Sequence, residues 1–358
     1  MYRQVSICII STVLVFFLLT GCSNQEVSDK SINRRIRLQD MAGRDVIIPE
    51  KVEKVFSTGP VGTILLYTLN PNKMIGWNYR LSEGEKRFIS EKFHALPNLG
   101  GAGKEEINIE EILKIDPDII IMMDTLDEAI ISKIEILEES TAKPIVFLDE
   151  DIHKIDIAYQ ILGQVIHEED RARQLANHCR ETLETAQEHS LNIPQEKKIK
   201  IYYAEGPYGL ETEPAGSWHG EVIDIVGGYN VAKVEVGGIK GKTKISIEQL
   251  LSWDPELIIA WDDERGGYYS QIFKDSIWKD INAVKNHRVY AIPNRPFNWF
   301  DRPPSVNRIL GIKWLGSLLY PDVFNYDIEK EVREFYSKFY HYDLSNEEIE
   351  ELLKDSRE

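Results

Sequence analysis

The chain has 358 residues, with 42 Lys and Arg against 59 Asp and Glu, and a formal net charge of −17 at pH 7. So acidic a chain is a poor nucleic-acid binder, and three cysteines leave little room for disulfides or a cysteine-built metal cluster. Its length suits two domains better than one.

Arg3 is the only charge before an uncharged run, Val5 to Thr20, that ends in "LTGC". A basic start followed by an apolar run reads as a secretion signal over residues 1–21. Leu19, Thr20 and Gly21 before Cys22 look like a bacterial lipobox, which makes Cys22 the lipidated first residue of the mature protein. The run is short of the about 20 residues that a membrane span needs. Loss of Arg3 with the signal takes the charge from −17 to −18. Residues 22–35 read as a polar tether. Cys8 leaves with the signal, so Cys179 remains as the one free thiol, in the helical "ARQLANHCRETLE", where a packed core role is simplest.

Further on, "KVFSTGP" (54–60) reads as a strand running into a Gly-Pro turn. "INIEEILKIDPDIIIMMD" (107–124) opens with an N-cap, Asn108, and has Glu111 three residues later as in a capping box. A short helix, an Asp-Pro break and a buried strand follow. "AKPIVFLDE" (142–150) is another turn and strand. Residues 156–190 carry Ala158, Ile161, Leu162, Val165 and Ile166 at helical spacing and read as one long helix, with a break near "HEED". The pattern then repeats. "KIYYAEGP" (200–207) matches 54–60, and "ISIEQLLSWDPELIIAWD" (245–262) aligns without a gap to 107–124, with Ser246 and Gln249 in the capping positions. "NHRVYAIPN" (286–294) matches 142–150. The acidic "NEEIEELLKDSRE" (346–358) reads as a solvated closing helix.

Alternating strands and helices imply an α/β fold of two similar lobes with mostly parallel sheets, joined by one long interdomain helix. The boundaries are 36–153 for the first lobe, 154–192 for the linking helix and 193–358 for the second lobe. Ligands of such sheets sit beyond the carboxyl ends of the strands, so a cleft shared by the lobes is the expected site. The first lobe offers Trp77, Tyr79, Arg80 and Lys104. The second offers Tyr208, Trp218, His219 and Trp261, and then the loop "RPFNWFDRPPS" (295–305) with Trp299, Asp301, Arg302 and Ser305. Arginine forks suit carboxylates and oxyanions, aromatic rings give flat contact area, and prolines fix the loop beforehand. An anionic chelate or an oxyanion fits this set better than a bare divalent cation. His219 alone cannot hold a metal, but it can complete the shell of a chelated one. The bland readings stand beside these: Phe297 and Trp299 can cap the core, Arg302 can pair internally with Asp301 or another carboxylate, and Trp253, Trp278 and Trp314 sit in helical, core-like contexts. If Arg302 is a binding arm, Arg302→Ala weakens ligand binding and leaves stability nearly unchanged. No nucleophile elbow, phosphate loop or metal-binding histidine pair is present, so no enzyme activity and no cofactor are called for.

The lipobox, "RLQDMAGRDVIIPEKVEKVFS", the paired "INIEEILKIDPDIII" and "ISIEQLLSWDPELII", and the linking helix together resemble the substrate-binding lipoproteins of ABC importers for ferric siderophores, haem and cobalamin. The resemblance covers nearly all of residues 35–325. It implies capture of a metal chelate in the interlobe cleft without chemistry on it, with an ABC permease and its ATPase as partners and an extracytoplasmic, lipid-anchored location. It also implies that Glu110 and Glu248, one on the tip of each lobe, pair with arginines of the permease; the plain alternative is a first-turn glutamate favouring its helix dipole. Related members are variously labelled for iron or for molybdate and tungstate, so an oxyanion ligand stays open. So does a surface adhesion or signalling module on the same scaffold.

Overall fold

The computed structural model describes residues 34–103, 105–235 and 242–357. The expected signal, the lipidation at Cys22, all but the end of the tether, and Lys104 lie outside the described residues.

The described chain begins with an antiparallel hairpin, β1 (Arg35–Gln39) and β2 (Asp45–Pro49), in which Arg35 faces Pro49 and Gln39 faces Asp45. Val46 and Ile48 alternate into the core with the period of two that a half-buried strand shows. Gly43, at φ +76°, makes the turn in a region that a side chain would strain. Asp40 Oδ2 accepts from Phe147 N at 3.2 Å, which fastens the hairpin to the sheet behind it.

That sheet has three parallel strands in the order β3 (Val55–Ser57), β4 (Ile119–Asp124) and β5 (Ile145–Asp149). Their near-continuous apolar runs are buried on both faces, as strands under helices must be. The covering helices are α1 (Pro60–Leu69), α3 (Ile109–Ile115) and α4 (Glu128–Thr141), while the short α2 (Glu83–Lys86) buries no residue.

The segment expected to be one long helix is two, α5 (Ile155–Ile166) and α6 (Glu169–Leu191). His167 ends α5 at φ +58°, and the chain folds back: Arg180 of α6 reaches Asp156 of α5 at 3.7 Å. The break at "HEED" is thus a sharp reversal. Of the two, α6 is the one that runs on to the second sheet. Its first turn is fixed by Arg171, which donates to the carbonyls of Thr68 and Leu69 at 2.8 Å each. Its last turn meets the second sheet, where a Cβ on Gly227 would lie 3.2 Å from Ser190 Cβ.

The second half holds β6 (Lys200–Ala204), β7 (Glu211–Thr212), β8 (Tyr229–Asn230), β9 (Thr243–Lys244), β10 (Leu257–Ala260) and β11 (Val289–Ala291). A four-stranded parallel sheet runs β11-β10-β6-β8, and β7 pairs antiparallel with β9. Its helices are α7 (Glu221–Ile225), α8 (Ile247–Trp253), α9 (Tyr269–Ile272), α10 (Asn282–Lys285), α11 (Asn307–Leu319), α12 (Ile328–Phe335) and α13 (Asn346–Leu353).

The sequence repeat is a repeat of structure. Helices α3 and α8 are both seven residues long. Asn108 accepts from Glu111 N at 3.0 Å and Ser246 from Gln249 N at 3.2 Å, so one half of each expected capping box forms. Both helices end on a left-handed aspartate, Asp116 at φ +57° and Asp254 at φ +44°. The next acidic side chain then holds the neighbouring strand's backbone, Asp118 on Lys54 N at 2.8 Å and Glu256 on Lys200 N at 2.9 Å.

Helix α11 is buried on almost every side, and one apolar core runs from Ile121 and Val146 through α6 and α11 to Tyr203 and Ile259. The closing helix is not merely solvated. Ile349 and Leu353 are buried, while Glu351 binds Arg87 at 2.6 Å and Arg295 at 2.9 Å, so α13 straps the first half to the loop after β11.

Candidate functional site

The carboxyl ends of β3 and of β10 and β11 open on a cavity of about 680 Å³, within the range usual for small-ligand sites. Of the residues singled out in the sequence, Tyr79, Arg80, His219 and Arg302 line it. Arg265, Arg295, Glu85 and Glu264 join them. Position after a strand end was the signal for Arg265: it lies in the loop that follows β10, four residues beyond Trp261.

These cations are not equivalent. Arg80 is exposed and has no ion-pair or hydrogen-bond partner among the described residues. The guanidinium of Arg265 has neutral partners, Asn294 Oδ1 at 2.8 Å and the carbonyls of Asp301 and Arg302. It stacks 4.9 Å from the Trp261 ring, which holds it in place. Arg295 is bound to Glu264 at 2.6 Å and to Glu351. Tyr79 donates to Glu85 Oε1 at 2.7 Å, and burial, helped by that carboxylate, holds its phenol well above the usual range, hence neutral. A Cβ on Gly84 would lie 2.8 Å from Glu264 Oε1, so the two halves meet at this rim.

Arg302 sits deeper, at φ +55°. It pairs with Glu213, with Asp301 at 3.1 Å and with Glu205 at 3.4 Å, three side chains with no exposure at all. His219 Nδ1 bonds Asp301 Oδ1 at 2.5 Å. Burial, then the neighbouring Asp301, pushes the Glu205 carboxyl up to about 8 against the pull of Arg302. The expectation that Arg302→Ala leaves stability nearly unchanged therefore fails on geometry, because the side chain balances buried charge. Three acidic oxygens lie within 4.8 Å of one another here, but the guanidinium already occupies their midst.

The remaining sequence candidates lie elsewhere. Trp77 is core: it is buried and its Nε1 donates to Phe93 O at 2.8 Å. Trp299 is wholly buried, as the bland reading had it, and a large ring inside the core has no face to offer a ligand. Trp261 is buried and donates to Tyr203 Oη at 2.8 Å, so it supports Arg265 instead of lining the cavity. Asp301 is spent on His219 and Arg302. Ser305 is buried and accepts from Asn307 N at 3.4 Å at the start of α11. Tyr208 is exposed beside Tyr268, outside the cavity lining. Trp218 lines a second cavity, together with the acidic side chains of Asp149, Asp151, Glu221 and Asp224. The proline-rich loop thus contributes its ends, Arg295 to Phe297 and Arg302 to Pro304, while its middle plugs the core.

Residues 87–296 match the model of the periplasmic binding protein family. The chain belongs to that family. A solute-binding protein of an ABC transporter from Sulfurospirillum deleyianum is 33% identical, with a TM-score of 0.82 over 89% of this chain and 99% of that one. The molybdate-binding protein MolA of Haemophilus influenzae is 25% identical over 90% of this chain and 95% of its own. The haem-uptake protein IsdE of Staphylococcus aureus is 23% identical over 58% of this chain and 70% of its own. Periplasmic binding proteins of this kind are extracytoplasmic solute-binding partners of a permease and an ATPase, so the resemblance read from the sequence holds. Among the described residues no helix is long and apolar enough to cross a membrane.

Proposed function

We propose that the chain is the capture component of an ABC importer and binds an anionic, oxygen-rich metal chelate of the siderophore, haem or corrinoid type between its halves. The observation that carries this reading is the cavity of about 680 Å³ that presents Arg80 without a counter-charge and Arg265 with neutral partners only. A guanidinium that lacks a counter-charge gains about 1.5–3 kcal/mol per charge-assisted hydrogen bond from an anionic oxygen. Tyr79 supplies a flat neutral wall and His219 the group nearest a chelated metal's open position. No residue set at the site performs chemistry on the ligand. Glu110 and Glu248, on equivalent turns of α3 and α8, dock the permease, and Cys22 carries the lipid that holds the chain at the membrane. The halves divide as 36–153 and 193–358.

A second reading, a molybdate-like oxyanion, is favoured by the similarity to MolA; the size of the cavity favours the chelate. A thermal-shift screen of the chain from residue 30 onward decides between them, with ferric siderophores, haem, cobalamins, molybdate and tungstate. A ligand at a hundred times its Kd adds about 2.7 kcal/mol. A shift with an iron or corrinoid chelate supports the first reading, one with molybdate or tungstate the second, and silence across the panel overturns both.

A further inference from the structure

Helices α3 and α8 carry a second matched pair besides their glutamates. Leu113 is 43% exposed and Leu251 39%, and the two hold the same place in the gapless match between 107–124 and 245–262. Each follows its glutamate, Glu110 or Glu248, by three residues, which sets both side chains on one side of the helix. Ile112 and Leu250, wholly buried, make the inward side. A single exposed leucine is ordinary on a protein surface. The same exposed leucine in both halves calls for a reason.

Five matched positions of these two segments are exposed in both copies. Two of them have different residues, Asn108 against Ser246 and Lys114 against Ser252, and the first of these pairs serves as the helix caps. Asp116 and Asp254 share the left-handed turn, and each has its own partner, Lys143 Nζ at 2.5 Å and Asn282 N at 2.9 Å. The glutamates stand in the first turn, where the helix dipole favours them. The leucine is left as the identical exposed residue that neither cap, turn nor dipole explains.

Its place beside the glutamate supplies a physical role. A pair between exposed charges is weak, because water screens it. Glu110 already has one, with Lys114 at 3.4 Å and both side chains well exposed, so a better-placed cation can take it over. Behind apolar side chains that exclude water, the same kind of pair is much stronger. A surface repeated on both halves also suits a partner that offers one surface twice, as a two-fold symmetric assembly does.

We propose that Leu113 and Leu251 are the apolar rims of two like docking points, each seating its glutamate on a cation set among apolar side chains of the permease's outer face. This rests on the reading of Glu110 and Glu248 as docking residues and adds to it what keeps water from those ion pairs.

The test is binding of the chain to the permease–ATPase complex in lipid nanodiscs, read by surface plasmon resonance in about 0.15 M salt. Leu113→Ala and Leu251→Ala should each weaken binding about fivefold, and the double variant at least about tenfold, as loss of buried methyl groups from two separate contacts does. Melting temperatures should not move, since both side chains are exposed. Leu113→Met with Leu251→Met, which keeps volume and apolarity, should bind as wild type does. Raising the salt to about 0.3 M should weaken the alanine double variant more than wild type, because its ion pairs are then wetter. If the alanine double variant binds as wild type while Glu110→Ala with Glu248→Ala does not bind, the docking reading stands and the apolar rims are overturned. If the glutamate variant also binds as wild type, the docking reading itself falls. A loss confined to one of the two leucines overturns the paired contact. So does a wild-type dimer, seen by sedimentation, that the alanine double variant dissolves with permease affinity unchanged, since the face would then join two copies of this chain.

Discussion

Replacing Arg302 by alanine removes the guanidinium that pairs with Glu205, Glu213 and Asp301, each wholly buried. Breaking a buried pair by deleting one partner costs about 3–5 kcal/mol, because the charge left behind is uncompensated. The lower end applies at pH 7. Glu205, pushed up to about 8, already holds its proton at that pH and leaves little charge behind, and His219 still supports Asp301. At about 2 °C per kcal/mol for a large domain, the melting temperature falls by about 6 °C. The pH dependence has a definite sign. Glu205 holds its proton up to about 8 in the folded chain and releases it near its ordinary 4.5 when unfolded. Between those values the folded state binds more protons, so this group's contribution to stability declines as pH rises. Loss of Arg302 raises the carboxyl further, which makes the gap between variant and wild type wider at pH 8.5 than at pH 5.5. Calorimetric melting at both values measures it, and adding Glu205→Gln to Arg302→Ala should recover part of the loss. Melting within 1 °C of wild type at both pH values would refute the reasoning and return Arg302 to the role of a free ligand arm.

Arg80→Ala should leave the melting temperature unchanged, since the side chain is exposed and unpaired among the described residues. It should weaken the cleft ligand at least tenfold, the loss of about one charge-assisted hydrogen bond; titration with the ligand found by thermal shift reads this. Trp299→Ala should cost about 3–5 kcal/mol as a cavity in the core, with ligand affinity preserved in the fraction that stays folded. Glu110→Ala with Glu248→Ala should change stability by under about 0.5 kcal/mol, as exposed substitutions do, and leave ligand binding intact. The same pair should abolish stimulation of the permease-bound ATPase; full stimulation would leave the two glutamates as first-turn charges that favour their helix dipoles.

Local sequence determined much of this protein. The gapless match between 107–124 and 245–262 carried its caps and its left-handed aspartates into the structure, because each depends only on neighbours a few residues away. The parallel sheets followed from apolar runs between helical segments, and the likeness to importer binding proteins from the order of those motifs. Tertiary structure decided what a residue type cannot reveal, namely which way a side chain is spent. Aromatics at loop ends can face a ligand or fill a core; Trp77 and Trp299 fill the core, because the flanking backbone turns them inward and their burial outweighs exposure to a cleft. Charges meet partners far away in the chain, so Arg302 is claimed by Glu205 and Glu213, some ninety residues before it. The reversal at His167 was visible only as a weak point in a helical pattern, and its angle is set by the packing of α5 on α6. The division of the space between the halves into a basic and an acidic cavity belongs to no motif, since it arises where loops from both sheets converge around Trp218 and His219.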